Sequence, residues 1–286
     1  MAKIVALANQ KGGVGKTTTA INITSALSKM GQKTLLIDFD SQCNATSGLG
    51  FAHEEIESSI YDVLLGDQDI SNVVLRVESS GVFIAPSSRD MAGAEVELAG
   101  MISREMCLKR KLAAVSDDYA FIIIDCPPSL GLLTINALAA ADSIIMPIQC
   151  EYYALEGLTQ LLDTVKLVRE NINWGLIIEG ILMTMWDYRT NLSRQVVDEV
   201  TSFFPNEIYR TVIPRNVKLS EAPGFGKDIF SYDPLCSGAK AYMEAGREFL
   251  SRNGIIIDDS NVERAEEQKR MTYICHDGNI LKQQME

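Results

Sequence analysis

The sequence predicts an α/β fold, a doubly wound and mostly parallel sheet with helices on both faces. Seven short apolar runs, helical patterns between them, and a glycine-rich turn joining the first run to the first helix predict it. Parallel strands covered on both faces read as near-continuous hydrophobic segments rather than as alternation. Such segments lie at 3–9 (KIVALAN), 34–38 (TLLID), 82–86 (VFIAP), 120–125 (AFIIID), 143–148 (SIIMPI), 177–183 (IIEGILM) and 209–213 (YRTVI).

The first helix is expected from about Lys16 to Met30, where Ala20, Ile23, Leu27 and Met30 recur at helical spacing and Gly31 supplies a stop. Further helices are expected at 90–115, 130–141, 153–171, 190–203 and 238–252. The alternation runs on without internal repeat or linker, so residues 1–252 read as one domain. Residues 253–286 lose it. From Gly254 this polar extension carries seven acids against four bases, with a short helix expected at about 260–271 and a disordered end.

With 286 residues, 47% hydrophobic and 22% charged, the chain excludes disorder, collagen and coiled coil. Its formal charge of −12 repels nucleic acid and anionic membranes from the molecule as a whole, so binding to either needs a local patch. The six cysteines form no C-x-x-C pair and are expected as reduced, mostly buried thiols. Only His53 and His276 are present, which argues against a histidine triad or a zinc site. Residues 1–9 lack the apolar core of a signal peptide, and Asp125, Pro127 and Pro128 interrupt the greasiest stretch before it spans a bilayer. A soluble cytoplasmic protein is expected.

The run 3–9 passes directly into Gln10, Lys11, Gly12, Gly13, Val14, Gly15, Lys16, Thr17 and Thr18, and then into the first helix. Strand, glycine loop and helix in that order are the context a P-loop requires. Glycines let backbone N–H groups curl around phosphate oxygens, and the helix N-terminus adds partial positive charge. Lys16 is expected to reach the β- and γ-phosphates, Thr17 to ligate Mg²⁺, and Thr18 to contact the α-phosphate. The form is deviant, with Gln10 where the ordinary motif has glycine and a second lysine, Lys11, after it. Lys16 already occupies the chain's own phosphates. Lys11 is better placed to reach a nucleotide in a facing subunit, which would make nucleotide binding and dimerisation one event.

The run 34–38 ends in Asp38, with Asp40 two residues on, and the run 120–125 ends in Asp125. Open α/β sheets place ligands at the carboxyl ends of strands, so all three carboxylates converge on the glycine loop. Asp125 is expected as an outer-sphere Mg²⁺ partner with Asp38 beside it, and Asp40 as the group that orients an attacking water. Capping a strand end is the plainer role open to Asp38 and Asp125.

These residues resemble the ParA/Soj family of partition ATPases. The resemblance rests on KGGVGKTT at 11–18, IDFDSQCNATSGLG at 37–50, IIIDCPPSLG at 122–131, QCEYYALEGL at 149–158 and IPRNVKLSEAP at 213–223. It covers about residues 2–250 and matches the short chromosomal type. It implies that ATP with Mg²⁺ closes a sandwich homodimer in which Lys11 crosses to the partner's phosphates. The dimer would bind DNA without sequence preference and sit on the nucleoid. A ParB-like centromere-binding protein would stimulate an otherwise slow hydrolysis. The resemblance further implies that Asp40 supports hydrolysis, that the loop with Pro214 and Asn216 lies against adenine, and that Arg189 and Lys218 contact DNA.

Departures from the family are visible. Ser41 and Cys43 stand where Pro and Gly are usual, Gly224 and Phe225 where Ser and His are common, and Asp228 where Pro is common. In YDPLCSGA at 232–239, Leu235 and Ser237 replace two usual arginines. Losing two phosphate contacts lowers the salt slope by about two units, so weaker DNA binding is expected. Arg104, Lys109, Arg110 and Lys111 are a second basic run, which as a helix face is ordinarily just solvated. Other readings are a MinD-like membrane switch, an iron–sulfur carrier, or a ligase such as dethiobiotin synthetase. They would require, in turn, an amphipathic anchor, bridging cysteines, or a substrate-pocket signature. None is evident, and no stable membrane anchor is expected.

Overall fold

The computed structural model describes residues 1–152 and 154–256. Its centre is a seven-stranded sheet of β1 (Lys3–Leu7), β2 (Thr34–Asp38), β3 (Leu75–Arg76), β4 (Phe83–Ala85), β5 (Phe121–Asp125), β6 (Ser143–Gln149) and β7 (Ile177–Thr184). The strand order is β3-β4-β2-β5-β1-β6-β7, and every neighbouring pair is parallel except β3 with β4. The order reverses around β1, so the loop leaving β1 opens into the crevice where such sheets bind ligands.

The central strands feed both faces. Leu35, Ile37, Ile122 and Ile124 pack beneath helices Met91–Ala99, Cys107–Leu112, Leu132–Ala140 and Ala154–Asn171. Val5, Leu7, Leu36 and Ile123 pack on the opposite side against helices Lys16–Lys29 and Ser237–Arg252. This two-sided burial is why the strands read as unbroken apolar runs. Helix Lys16–Lys29 ends as expected. Gly31 takes φ +81°, its N–H donates to Ser28 (3.0 Å), and the Gln32 N–H donates to Leu27 (3.0 Å), which satisfies carbonyls the helix leaves open.

Two expectations are corrected. Residues 209–213 form no strand. The Tyr209 N–H bonds the Ile181 carbonyl and the Ile213 N–H bonds that of Met183, so this segment advances from 209 to 213 while β7 advances from 181 to 183. The surplus residues bulge out and leave isolated bridges at Ile208 and Pro214. The expected helix 90–115 is interrupted after Ala99 by Gly100 and by Ser103 at φ +53°. Asn136 fills the break by donating to the Arg104 carbonyl (2.8 Å) and accepting from the Leu108 N–H (3.2 Å). The strand β3 and the short helices Asn44–Gly48, Ile60–Leu65 and Val217–Glu221 were not expected. They are too short to carry a periodic signal. The helix expected at about 260–271 lies outside the described residues.

Helix Leu132–Ala140 begins at Gly131 without a cap of its own. Glu95 from the neighbouring helix substitutes, its Oε1 accepting the Leu133 N–H at 3.3 Å, and any side chain at position 131 would run into that carboxylate. Glu95→Ala is expected to lower stability by about 1 kcal/mol, the usual worth of an N-cap, and urea unfolding measures it.

Candidate functional site

The loop between β1 and helix Lys16–Lys29 turns through Gly13 (φ +76°) and Gly15 (φ +87°), a backbone region that disfavours any side chain. Gly15 caps the helix with no side-chain acceptor, so the first-turn N–H groups stay available to an anion. Lys16, only 6% exposed, folds back so that its ammonium donates to the Lys11 carbonyl at 3.1 Å. Burial lowers its pKa, and the nearby Asp125, Cys126 and Asp40 partly restore it.

Asp38 and Asp125 sit opposite each other in the β2–β5 register, at the carboxyl ends of their strands. Both are fully buried. The Oδ2 of Asp38 accepts the N–H (2.8 Å) and the hydroxyl (2.7 Å) of Thr46, and the Ser87 N–H donates to that same hydroxyl at 3.0 Å. Burial nevertheless pushes the Asp38 carboxyl up to about 6. Neither oxygen of Asp125 has a well-formed hydrogen bond. Burial and then the charge of Asp38 raise its pKa well above the carboxylate range, while the Thr17 hydroxyl and Lys16 pull the other way. Asp40 accepts the Gln42 N–H at 3.0 Å and is 6% exposed.

A buried carboxyl group without a well-formed hydrogen bond is the environment a cation completes. Among the described residues no cluster of three or more His, Cys, Asp or Glu could hold a metal alone. That donor poverty fits Mg²⁺, which takes one or two carboxylates and fills its remaining positions with water and phosphate oxygens. Thr17, Asp38 and Asp125 are the residues that would hold it.

The acidity of Asp38 has a consequence for the metal-free protein. Its unfolded pKa is about 3.9 and its folded value is about 6, so the unfolded chain releases the proton first. The stability contribution is therefore full below pH 4 and lost as pH rises through 6. Asp38→Asn is expected to gain on the order of 2–3 kcal/mol relative to the wild type between pH 4 and pH 7. Urea unfolding in chelator across that range reads the difference.

Lys11 points to the side. Its ammonium pairs with Glu151 Oε2 at 2.8 Å, and Glu151 also accepts from Gln149. Asn9 joins the loop to β6 through the Pro147 carbonyl (2.7 Å) and accepts the Lys11 N–H (2.9 Å). Glu151 lies 140 residues from Lys11, and no local spacing announces the pair.

Pro214 and Asn216 line a cavity of about 170 Å³ with Gly15, Thr18, Met185 and Tyr242. The expected base-side loop and the start of the first helix therefore share one hollow. The Asn216 side chain is structurally committed, capping its short helix at the Lys218 N–H (2.8 Å) and donating to Ser237 (2.7 Å). Larger hollows of about 530 Å³ beside Trp174 and about 890 Å³ along helix Ser237–Arg252 lie away from these residues.

The two expected DNA residues do not present free charge. Arg189 holds Asp187 at 2.9 and 2.7 Å, pushing that carboxyl down to about 2, and Lys218 pairs with Glu221 at 2.9 Å. Leu235 is instead among the most exposed apolar side chains, at 79%.

A family profile described as an AAA domain matches residues 2–178. The chain is 53% identical to the sporulation initiation inhibitor protein Soj of Bacillus subtilis over 254 residues, 89% of this chain and 100% of that protein. It is 49% identical to the chromosome partitioning protein ParA of Myxococcus xanthus, over 88% of this chain and 89% of that one. Among solved structures it resembles a cobyrinic acid a,c-diamide synthase from Mycobacterium smegmatis with bound ADP and magnesium. That match has a TM-score of 0.77 at 37% identity and covers 90% of this chain and 99% of the other.

Proposed function

The chain belongs to the Soj/ParA family of chromosome-partitioning proteins, and from that premise we propose that it is an ATP-dependent dimerisation switch for chromosome segregation. The observation that carries the reading is Asp125, a buried carboxylate without a well-formed hydrogen bond, beside an uncapped helix start and a buried ammonium. A cation and an anion together complete that arrangement, and magnesium with a nucleoside triphosphate supplies both. The Mycobacterium smegmatis relative, solved with ADP and magnesium, supports the same choice.

In this reading Gly12, Gly13, Val14 and Gly15 offer backbone N–H groups to the phosphates, with Lys16 at the β- and γ-oxygens and Thr18 at the α-phosphate. Thr17, Asp38 and Asp125 would hold magnesium, which would neutralise phosphate charge. Asp40 orients the attacking water, because phosphoryl transfer needs chiefly positioning and charge stabilisation. Pro214 and Asn216 border the base. Lys11 leaves Glu151 and reaches the partner's phosphates. Intrinsic hydrolysis to ADP and phosphate is slow, and a ParB-like centromere-binding protein accelerates it.

Binding to DNA is non-specific and weaker than is usual in the family, since positions 235 and 237 are uncharged. A MinD-like cycle on membranes is the second reading. No helix among the described residues is long and apolar enough to cross a membrane. The relationship to Soj and ParA, at 53% and 49%, runs well above the 37% shared with the diamide synthase, which favours partition over synthetic chemistry.

The test is light scattering with Mg·ATP and with Mg·ADP, alongside DNA co-sedimentation over a salt series and flotation with anionic liposomes. A dimer and DNA retention with ATP only are expected. An unchanged monomer at saturating Mg·ATP overturns the switch. Flotation without DNA retention overturns partition in favour of the membrane cycle.

A further inference from the structure

Thr184 is the last residue of β7 and is 2% exposed. Its hydroxyl donates to the Val14 carbonyl at 2.8 Å, bridging 170 residues of sequence. Its methyl lies behind the loop, where a side chain at Gly15 would meet Thr184 Cγ2 at 3.9 Å. The threonine thus holds Val14 by a hydrogen bond and backs the space beside the next residue of the glycine loop.

A trans peptide is planar, with its C=O and N–H pointing to opposite sides. Pinning the Val14 carbonyl towards β7 therefore fixes the Gly15 N–H away from β7. Gly15, at φ +87°, is the residue whose backbone is freest to rotate otherwise. The next residue continues the same strand end into the base-side hollow. Met185 turns left-handed at φ +53° and lines the cavity with Pro214 and Asn216, while the Trp186 N–H bonds the Ile213 carbonyl at 3.0 Å. The Thr184 carbonyl is itself held by the Cys150 N–H at 3.1 Å, so the strand end is braced from β6.

We propose that Thr184 is a positioning residue for triphosphate binding, holding the Val14–Gly15 peptide in its anion-accepting orientation from outside the loop. The proposal rests on the reading of the loop as an ATP site. Thr184 touches no phosphate in this scheme. Its effect is on a geometry present before nucleotide arrives, so it appears in affinity rather than in the chemical step.

The experiment compares full-length wild type, Thr184→Ser, Thr184→Val and Thr184→Ala for Mg·ATP affinity, for adenosine affinity and for steady-state KM and kcat. Circular dichroism confirms folding. Loss of one neutral hydrogen bond predicts about a three- to tenfold rise in the Mg·ATP Kd and KM for Thr184→Val and Thr184→Ala. Both variants should keep kcat within twofold and adenosine affinity unchanged, and Thr184→Ser should restore Mg·ATP binding to within twofold of wild type. Thr184→Ala keeps the test open if the valine variant misfolds. Wild-type affinity in either folded variant lacking the hydroxyl overturns the proposal. So does a serine variant as weak as valine, which would assign the effect to methyl packing. Wild-type protein that binds no Mg·ATP overturns the reading of the loop itself, and the proposal with it.

Discussion

Lys16→Ala is expected to weaken Mg·ATP binding by roughly 100- to 1,000-fold, the worth of one or two charge-assisted hydrogen bonds to phosphate. The reason lies in what the free protein has already arranged. The ammonium is buried among Asp125, Cys126 and Asp40, and its pKa is lowered by that burial. A desolvated cation held over an uncapped helix start needs no further reorganisation when phosphate arrives. Removing it also strands the Lys11 carbonyl and withdraws the cation that faces the buried Asp125. The variant therefore loses affinity for the anion, and magnesium binding is weakened only through the phosphate oxygens it would share. Titration with a fluorescent ATP analogue, with and without magnesium, measures the loss. Binding within threefold of wild type would remove Lys16 from the phosphate site.

Lys11→Ala is expected to behave differently, keeping nucleotide affinity in the monomer within about threefold while abolishing the ATP-dependent dimer. Lys11 makes its ion pair at the surface, with side chains 45% and 44% exposed on the two partners. An exposed pair contributes about 0–1 kcal/mol, so exchanging Glu151 for a partner's phosphate costs little and the variant folds normally. In a two-fold dimer the contact occurs twice, once from each subunit. Two charge-assisted contacts of about 1.5–3 kcal/mol each shift the dimer dissociation constant by at least about 100-fold. Analytical ultracentrifugation at saturating Mg·ATP separates the cases. A normal dimer from Lys11→Ala would show that the subunits meet without it.

The contrast between these lysines marks what sequence alone conveyed. Lys16 was legible because its chemistry is contiguous, with strand, glycines, lysine and helix following within a few residues. Asp38 and Asp125 were legible because parallel strands deliver their carboxyl ends to one edge, and the register indeed sets them opposite each other. Glu151 and Thr184 were not, since each acts on the loop from a distant strand end and no local pattern announces such a partner. Thr46 escaped notice for a related reason. It lies on a five-residue helix with no periodic signal, yet its backbone and hydroxyl both serve Asp38. The reading of 209–213 as a strand failed because apolar character is necessary for sheet pairing and does not guarantee matched advance along the neighbour. Arg189 and Lys218 illustrate a further limit, for each pairs with an acid two or three places away, which a reading of basic residues alone does not show.

The two flanks of the sheet bear on how this chain tolerates crowding. At one margin β3 offers only two residues in the antiparallel sense, and at the other the uneven 207–215 segment lies across β7. Among the described residues neither border presents a long, regular row of unpaired amides, the template on which strands of separate molecules stack into fibres. Copies brought to high local density can therefore meet and part through side chains, without fusing their sheets.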